Sequence, residues 1–198
     1  MVKNLQKSLI EKETLYGANN YSPLPLVLNK GQGVYLWDVD GNKYLDMMSA
    51  YSAVSHGHSH PELINVLVEQ SKKLAITSRA FYTEPFGEYI EKLSTLSGFS
   101  NILPMNTGAE AVETAIKAAR RWGYFTKGIE QNKAEIIVAN GNFHGRTTTI
   151  VGFSSEEDYK RGFGPFSPGF VEADYCSSSC DCANVCEKSI DSISKLIN

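Results

Sequence analysis

The six residues Asn106-Thr107-Gly108-Ala109-Glu110-Ala111 constrain this chain more than any other stretch, because they have the form of a helix entrance open to an anion. A helix starting at Gly108 aims free backbone N–H groups, and the positive end of its dipole, at whatever lies in front of it. Thr107 and Glu110 stand at capping-box spacing, at which the hydroxyl takes one orphan N–H and the carboxylate reaches back for another. Downstream, Ala109, Val112, Ala115, Ile116, Ala119 and Trp122 recur at three- and four-residue intervals, the pattern of a helix with one buried face, and Gly123 reads as its stop. Upstream, Ile102, Leu103 and Met105 read as a short buried strand. Taken alone, the same residues also describe an ordinary well-capped core helix.

A second signal lies one element further on. Residues 134–139, Ala-Glu-Ile-Ile-Val-Ala, are rich in β-branched side chains and run into Asn140-Gly141, so they read as a buried strand followed by a turn. Two strands around one helix make a βαβ unit with a right-handed crossover, and ligands of such sheets bind beyond the carboxyl ends of the strands. Thr107-Gly108 and the run Asn142-Phe143-His144-Gly145-Arg146-Thr147 both fall at such ends and are expected to face one crevice. A flat ring at Phe143 beside an anion seat suits a heteroaromatic phosphate ester, and Arg146 can hold a carboxylate with two parallel N–H donors. A core aromatic and a surface ion pair are the plainer alternatives for these two residues.

These segments together resemble the class III pyridoxal-phosphate aminotransferases. The resemblance is carried by Leu103-Pro104-Met105-Asn106-Thr107-Gly108-Ala109-Glu110-Ala111, by Arg120-Arg121-Trp122-Gly123-Tyr124 and by Gly141-Asn142-Phe143-His144-Gly145-Arg146-Thr147. It extends to Tyr16-Gly17-Ala18-Asn19-Asn20-Tyr21, Ser49-Ala50-Tyr51-Ser52-Ala53-Val54 and Ser78-Arg79-Ala80-Phe81-Tyr82, and so runs from about Tyr16 to about Phe170. Within the class the chain is most similar to the ornithine aminotransferase branch. The resemblance implies an α/β fold of the aspartate aminotransferase type (fold type I), present as an incomplete large domain plus the N-terminal segment of the small domain. Residues 1–60 are then the small-domain segment, 61–170 the first part of the large cofactor-binding domain, and 171–198 a divergent cysteine-rich tail.

The resemblance also implies roles. Thr107, Gly108 and Ala109 hold the phosphate of pyridoxal 5'-phosphate, Phe143 stacks on its pyridine ring, Arg146 binds a substrate carboxylate, and Tyr21 and Tyr51 line the substrate pocket. Read without it, Tyr21 in a proline-punctuated loop and Tyr51 after a strand are ordinary partly buried tyrosines. The implied reaction passes the δ-amino group of L-ornithine to 2-oxoglutarate, in a homodimer. The family's Schiff-base lysine and the acid that protonates the pyridine nitrogen match no position in the chain and are expected beyond Asn198. No catalytic residue is therefore nominated, and the 198 residues alone are expected to be inactive. Acetylornithine and 4-aminobutyrate aminotransferases, or a non-catalytic partner, are the alternatives.

Composition narrows the field. At 42% hydrophobic and 21% charged, the chain has the make-up of a folded protein with a substantial core. A balance of 19 basic against 22 acidic residues offers no case for nucleic acid or an acidic membrane. No apolar run is long enough to span a bilayer, and residues 1–13 lack the arginines of a mitochondrial presequence, so a cytoplasmic location is the expectation unless a leader is missing.

The coarser pattern adds a hairpin with its turn at Asp40-Gly41-Asn42, a helix from Pro61, another over 84–96, and a short amphipathic helix over 189–197. Two constellations suggest metals, and neither is adopted. His56, His58 and His60 alternate along one segment, whereas zinc usually draws ligands from separate elements. Cys176, Cys180, Cys182 and Cys186 lack the paired two-residue spacing of zinc ribbons, and a disulfide among them needs an oxidising compartment that nothing else supports. This cysteine segment is also where the family pattern fails.

Overall fold

A computed structural model describes residues 3–175 and 182–197, and the chain divides into two units, Met1–Thr83 and Glu84–Asn198. Cys176 and Cys180, and the side chains of Cys182 and Cys186, lie outside the described residues.

The first unit opens with helix α1 (Lys3–Tyr16), which the charge-mixed N-terminal sequence does not announce. A three-stranded antiparallel sheet follows, β1 (Leu28–Gln32), β2 (Tyr35–Asp38) and β3 (Lys43–Leu45), in the order β1-β2-β3. The β2–β3 hairpin closes through Asp40 and Gly41 as the sequence predicts, with Trp37 opposite Lys43 and Gly41 at φ 87°. Its turn is organised by Asp38, a buried carboxylate that accepts hydrogen bonds from the backbone N–H of Asp40 and Asn42 (3.0 and 2.8 Å), from Asn42 Nδ2 (2.8 Å) and from the Tyr44 hydroxyl (2.7 Å). Burial pushes this carboxyl up, but the hydrogen bonds from Asn42, Tyr44 and Asp40 outweigh it and leave it below the usual carboxylate value. The Tyr44 phenol is raised in turn, first by the bond it donates to Asp38.

Past β3 the chain makes a single turn, α2 (Ser49–Ser52), wound left-handed, with φ of 48°, 47°, 56° and 71° at its four residues. Four successive non-glycine residues in that region store strain, which only surrounding contacts can hold. Helix α3 (Pro61–Lys73) starts on Pro61 at its first turn, where the missing N–H costs nothing.

The second unit contains α4 (Glu84–Ser97), α5 (Gly108–Phe125), β4 (Ile136–Ala139), the short helices α6 (Thr148–Gly152) and α7 (Glu157–Lys160), β5 (Phe170–Ala173) and α8 (Cys182–Ile197). Four expectations are corrected. Residues 102–105 form no strand, because no described strand runs beside them to pair with, and Leu103 stays exposed. The βαβ unit expected across α5 is thus not formed. The parallel pair is instead β4 with β5, Ile136 opposite Phe170 and Ala139 opposite Ala173. Gly123 does not stop α5, which continues to Phe125. It is buried against Ile129 Cδ1 and Ala134 Cβ, so the missing side chain serves close packing. The helix placed over 189–197 is longer, beginning at Cys182.

The core of this unit is Ile116 of α5, Val138 of β4, Ile150 of α6 and Phe153, joined by Ala109, Val112, Ile136 and Phe170. Phe153 and Phe170 stack with ring centroids 4.5 Å apart, and Arg120 ties α5 to the start of β5 by donating to the Pro168 carbonyl at 2.6 Å. Among the described residues no helix is long and apolar enough to cross a membrane.

Candidate active site

The entrance to α5 is built as its residues dictate. Thr107 is the N-cap, in extended backbone, and its Oγ1 accepts the Glu110 N–H at 3.1 Å. Glu110 Oε2 reaches back to the Asn106 N–H at 2.9 Å, one residue earlier than a standard capping box. The Ala111 N–H is taken by the Thr107 carbonyl. The N–H groups of Gly108 and Ala109 have no acceptor among the described residues, and a Cβ placed on Gly108 would meet open space. This is a pair of donors at the positive end of an 18-residue helix.

The 142–147 loop leaves the carboxyl end of β4 and comes back against this entrance. The contact is made by Gly145, whose φ is 126°: a Cβ there would lie 2.9 Å from the Ala109 Cβ, so only glycine lets the loop close on the helix. Three further bonds fix the loop. Asn142 Nδ2 donates to the carbonyls of Ala139 (2.7 Å) and Phe153 (3.0 Å), and the Gly141 N–H donates to Ser155 Oγ (2.7 Å). At its far end Thr147 caps α6 by accepting the Ile150 N–H, and donates to Glu113 Oε1 of α5 at 2.5 Å. Residues Thr107, Gly108 and Ala109 and the loop bearing Phe143 and Arg146 therefore belong to one locality of the second unit.

Phe143 is 61% exposed and meets Tyr159 edge to face, centroids 6.1 Å apart. Arg146 is exposed, and its guanidinium lies 4.7 Å from the centre of the same Tyr159 ring. Among the described residues no ion pair joins it to a carboxylate. Within this chain Phe143 is not a core aromatic. Tyr159 carries no sequence signal, because it reaches the loop only through the turn formed by α6 and α7.

In the first unit, Tyr21 and Tyr51 are brought together, their hydroxyl oxygens 3.5 Å apart, with both rings exposed. Tyr51 sits in the left-handed turn and not simply after a strand. That turn is anchored by Asp46, whose Oδ1 accepts the N–H groups of Met48 and Ser49 (3.0 and 2.9 Å) while Oδ2 meets His58 Nε2 at 2.7 Å. The His58 hydrogen bond, then the Ser49 N–H, hold the Asp46 carboxyl below the usual carboxylate value despite burial. His58 is thus committed to a carboxylate partner, and among the described residues no group of three potential metal ligands exists. Sequence reasoning missed the Asp46–His58 pair because twelve residues separate its members.

Comparison with known proteins agrees with this geometry. Residues 16–198 match the family model for aminotransferase class III. The ornithine aminotransferase of Brevibacillus brevis is 59% identical over 162 residues, which is 82% of this chain and 41% of that protein. The ornithine aminotransferase of Toxoplasma gondii, with partial occupancy of PLP at its active site, superposes with a TM-score of 0.84 at 39% identity, covering 86% of this chain and 40% of that one. The acetylornithine aminotransferase of Elizabethkingia anophelis gives 0.73 at 57% identity, over 86% and 41%. The chain therefore spans about two fifths of the length of these relatives. Its fold is that of the fold type I aminotransferases, and on a family match that covers nearly the whole sequence the chain belongs to the class III aminotransferases.

Proposed function

We propose that this chain provides the cofactor-phosphate seat and the substrate-carboxylate fork of an ornithine aminotransferase, an enzyme passing the δ-amino group of L-ornithine to 2-oxoglutarate with pyridoxal 5'-phosphate as cofactor. The observation that carries the reading is the closure of Gly145 on Ala109, which sets a loop bearing an exposed ring and an unpaired guanidinium against two free helix N–H groups.

The residues fit such a group. Gly108 and Ala109 donate their N–H groups to phosphate oxygens, and the Thr107 hydroxyl, already accepting from Glu110, still has its own proton to donate. Phe143 offers its exposed face to a flat heteroaromatic ring. When bound, the cofactor supplies the aldehyde and electron sink for amino transfer. Arg146 orients the amino acid through its carboxylate, and Tyr21 and Tyr51 contribute to recognising the amino-acid side chain. No lysine of the chain stands in the family's Schiff-base context, so the 198 residues alone bind the phosphate ester without turning over.

An acetylornithine aminotransferase is the second reading, favoured by the 57% identity to the Elizabethkingia anophelis enzyme. Fusing this chain to the remaining residues of the Brevibacillus brevis enzyme and assaying L-ornithine, N-acetylornithine and 4-aminobutyrate with 2-oxoglutarate separates the readings. Preference for L-ornithine supports the first, preference for N-acetylornithine the second. A folded fusion that takes up no pyridoxal phosphate removes both.

A further inference from the structure

Phe143 and Arg146 share a neighbour that neither the family match nor the sequence pattern assigns. Tyr159 stands half-buried on α7, with its ring edge to face with Phe143 (centroids 6.1 Å, planes at 69°) and its face 4.7 Å from the Arg146 guanidinium. Its backbone is held from the same side. The Tyr159 N–H donates to the Glu156 carbonyl, and the preceding segment is tied to the 140–142 turn by the Gly141–Ser155 and Asn142–Phe153 hydrogen bonds.

We propose that Tyr159 is a positioning residue, one ring that sets both the plane of Phe143 and the direction of the Arg146 fork. The chemistry of the two contacts differs and does not compete. A guanidinium held over an aromatic ring is attracted to it electrostatically without spending its N–H donors, so the contact pre-orients the group and leaves its hydrogen bonds for a carboxylate. The edge-to-face contact restricts the rotation of an exposed phenylalanine. Both contacts need the ring of Tyr159 and not its hydroxyl, which separates this role from a hydrogen-bonding one.

This inference deepens the proposed function and rests on it for the identity of the substrate, but its test does not need the cofactor. In the full 198-residue chain, labelled with nitrogen-15 at arginine, the Arg146 Nε–H resonance is expected to be shifted upfield by the Tyr159 ring current, while Arg120 and Arg121, which lie near the rings of Phe170 and Phe125, serve as controls that a Tyr159 substitution leaves in place. Tyr159→Phe is expected to keep that shift, and Tyr159→Leu to abolish it. Succinate, titrated as a dicarboxylate probe against the same resonance, is expected to bind about two- to fivefold more weakly to Tyr159→Leu and unchanged to Tyr159→Phe. An ordinary Arg146 shift in the unaltered chain overturns the proposal even if Tyr159→Leu fails to fold. Equal succinate affinity in all three proteins overturns it as well, as does a Tyr159→Phe protein that behaves like Tyr159→Leu. Failure to take up pyridoxal phosphate bears on the functional reading and leaves these outcomes as they are.

Discussion

Asp46 and His58 stand 2.7 Å apart through Oδ2 and Nε2, and between them they hold the turn that carries Tyr51. Because the Asp46 carboxyl titrates lower in the folded chain than in the unfolded one, the stability it contributes is present above the unfolded carboxylate value and is lost as pH falls through the folded value. His58→Ala is therefore expected to move Asp46 up toward an ordinary carboxylate and to narrow the stability gap between variant and unaltered chain in acid. Carboxyl-carbon NMR titration of both proteins checks this, and superimposable Asp46 curves would speak against the pair.

Gly145→Ala tests the contact that the functional reading depends on. The new methyl would enter at 2.9 Å from the Ala109 Cβ, on a backbone with φ of 126°. Strain and overpacking together are expected to cost about 2–4 kcal/mol and to weaken uptake of pyridoxal phosphate. Urea denaturation and equilibrium dialysis measure the two effects, and adding Ala109→Gly should recover part of the packing loss while leaving the backbone strain.

Thr107→Ala removes the N-cap acceptor for Glu110 and is expected to cost about 1 kcal/mol, with a range of roughly 0.5–2. Thr107→Ser should retain most of it. A thermal or chemical denaturation series over the three proteins decides the point, and an alanine variant as stable as the serine one would show that the cap contributes nothing.

Phe153→Ala probes the core beneath the loop. Phe153 is 3% exposed and packs on Phe170, so its truncation is expected to destabilise by about 3–5 kcal/mol. His144 and the Phe153 carbonyl bond to Asn142 are neighbours of the same ring, and amide exchange in residues 140–147 should accelerate in the variant.

Local chemistry made parts of both units legible in the sequence. The capping residues and the apolar stripe announced α5, the β-branched run announced β4, Pro61 announced α3, and Asp40-Gly41 announced the hairpin. Each of these depends on residues within a few positions of one another, where spacing alone expresses the physics. The readings of residues 102–105 as a strand and of Gly123 as a stop failed for one shared reason. A strand exists only with a partner, and a glycine inside a helix is tolerated where a neighbouring chain needs the space, so both outcomes depend on distant residues.

The candidate site divides along the same line. Gly108, Phe143 and Arg146 were visible as residue types suited to a phosphate, a flat ring and a carboxylate. That Gly145 closes their loop on Ala109, that Tyr159 contacts both ring and guanidinium, and that Asp46 and His58 brace a left-handed turn were decided by tertiary packing. By itself the order of amino acids determined where helices begin and which faces are apolar, since those follow from backbone donors and side-chain spacing. Which groups meet across the loops was settled only by folding, because a contact between residues far apart in sequence exists once the intervening chain has closed and not before.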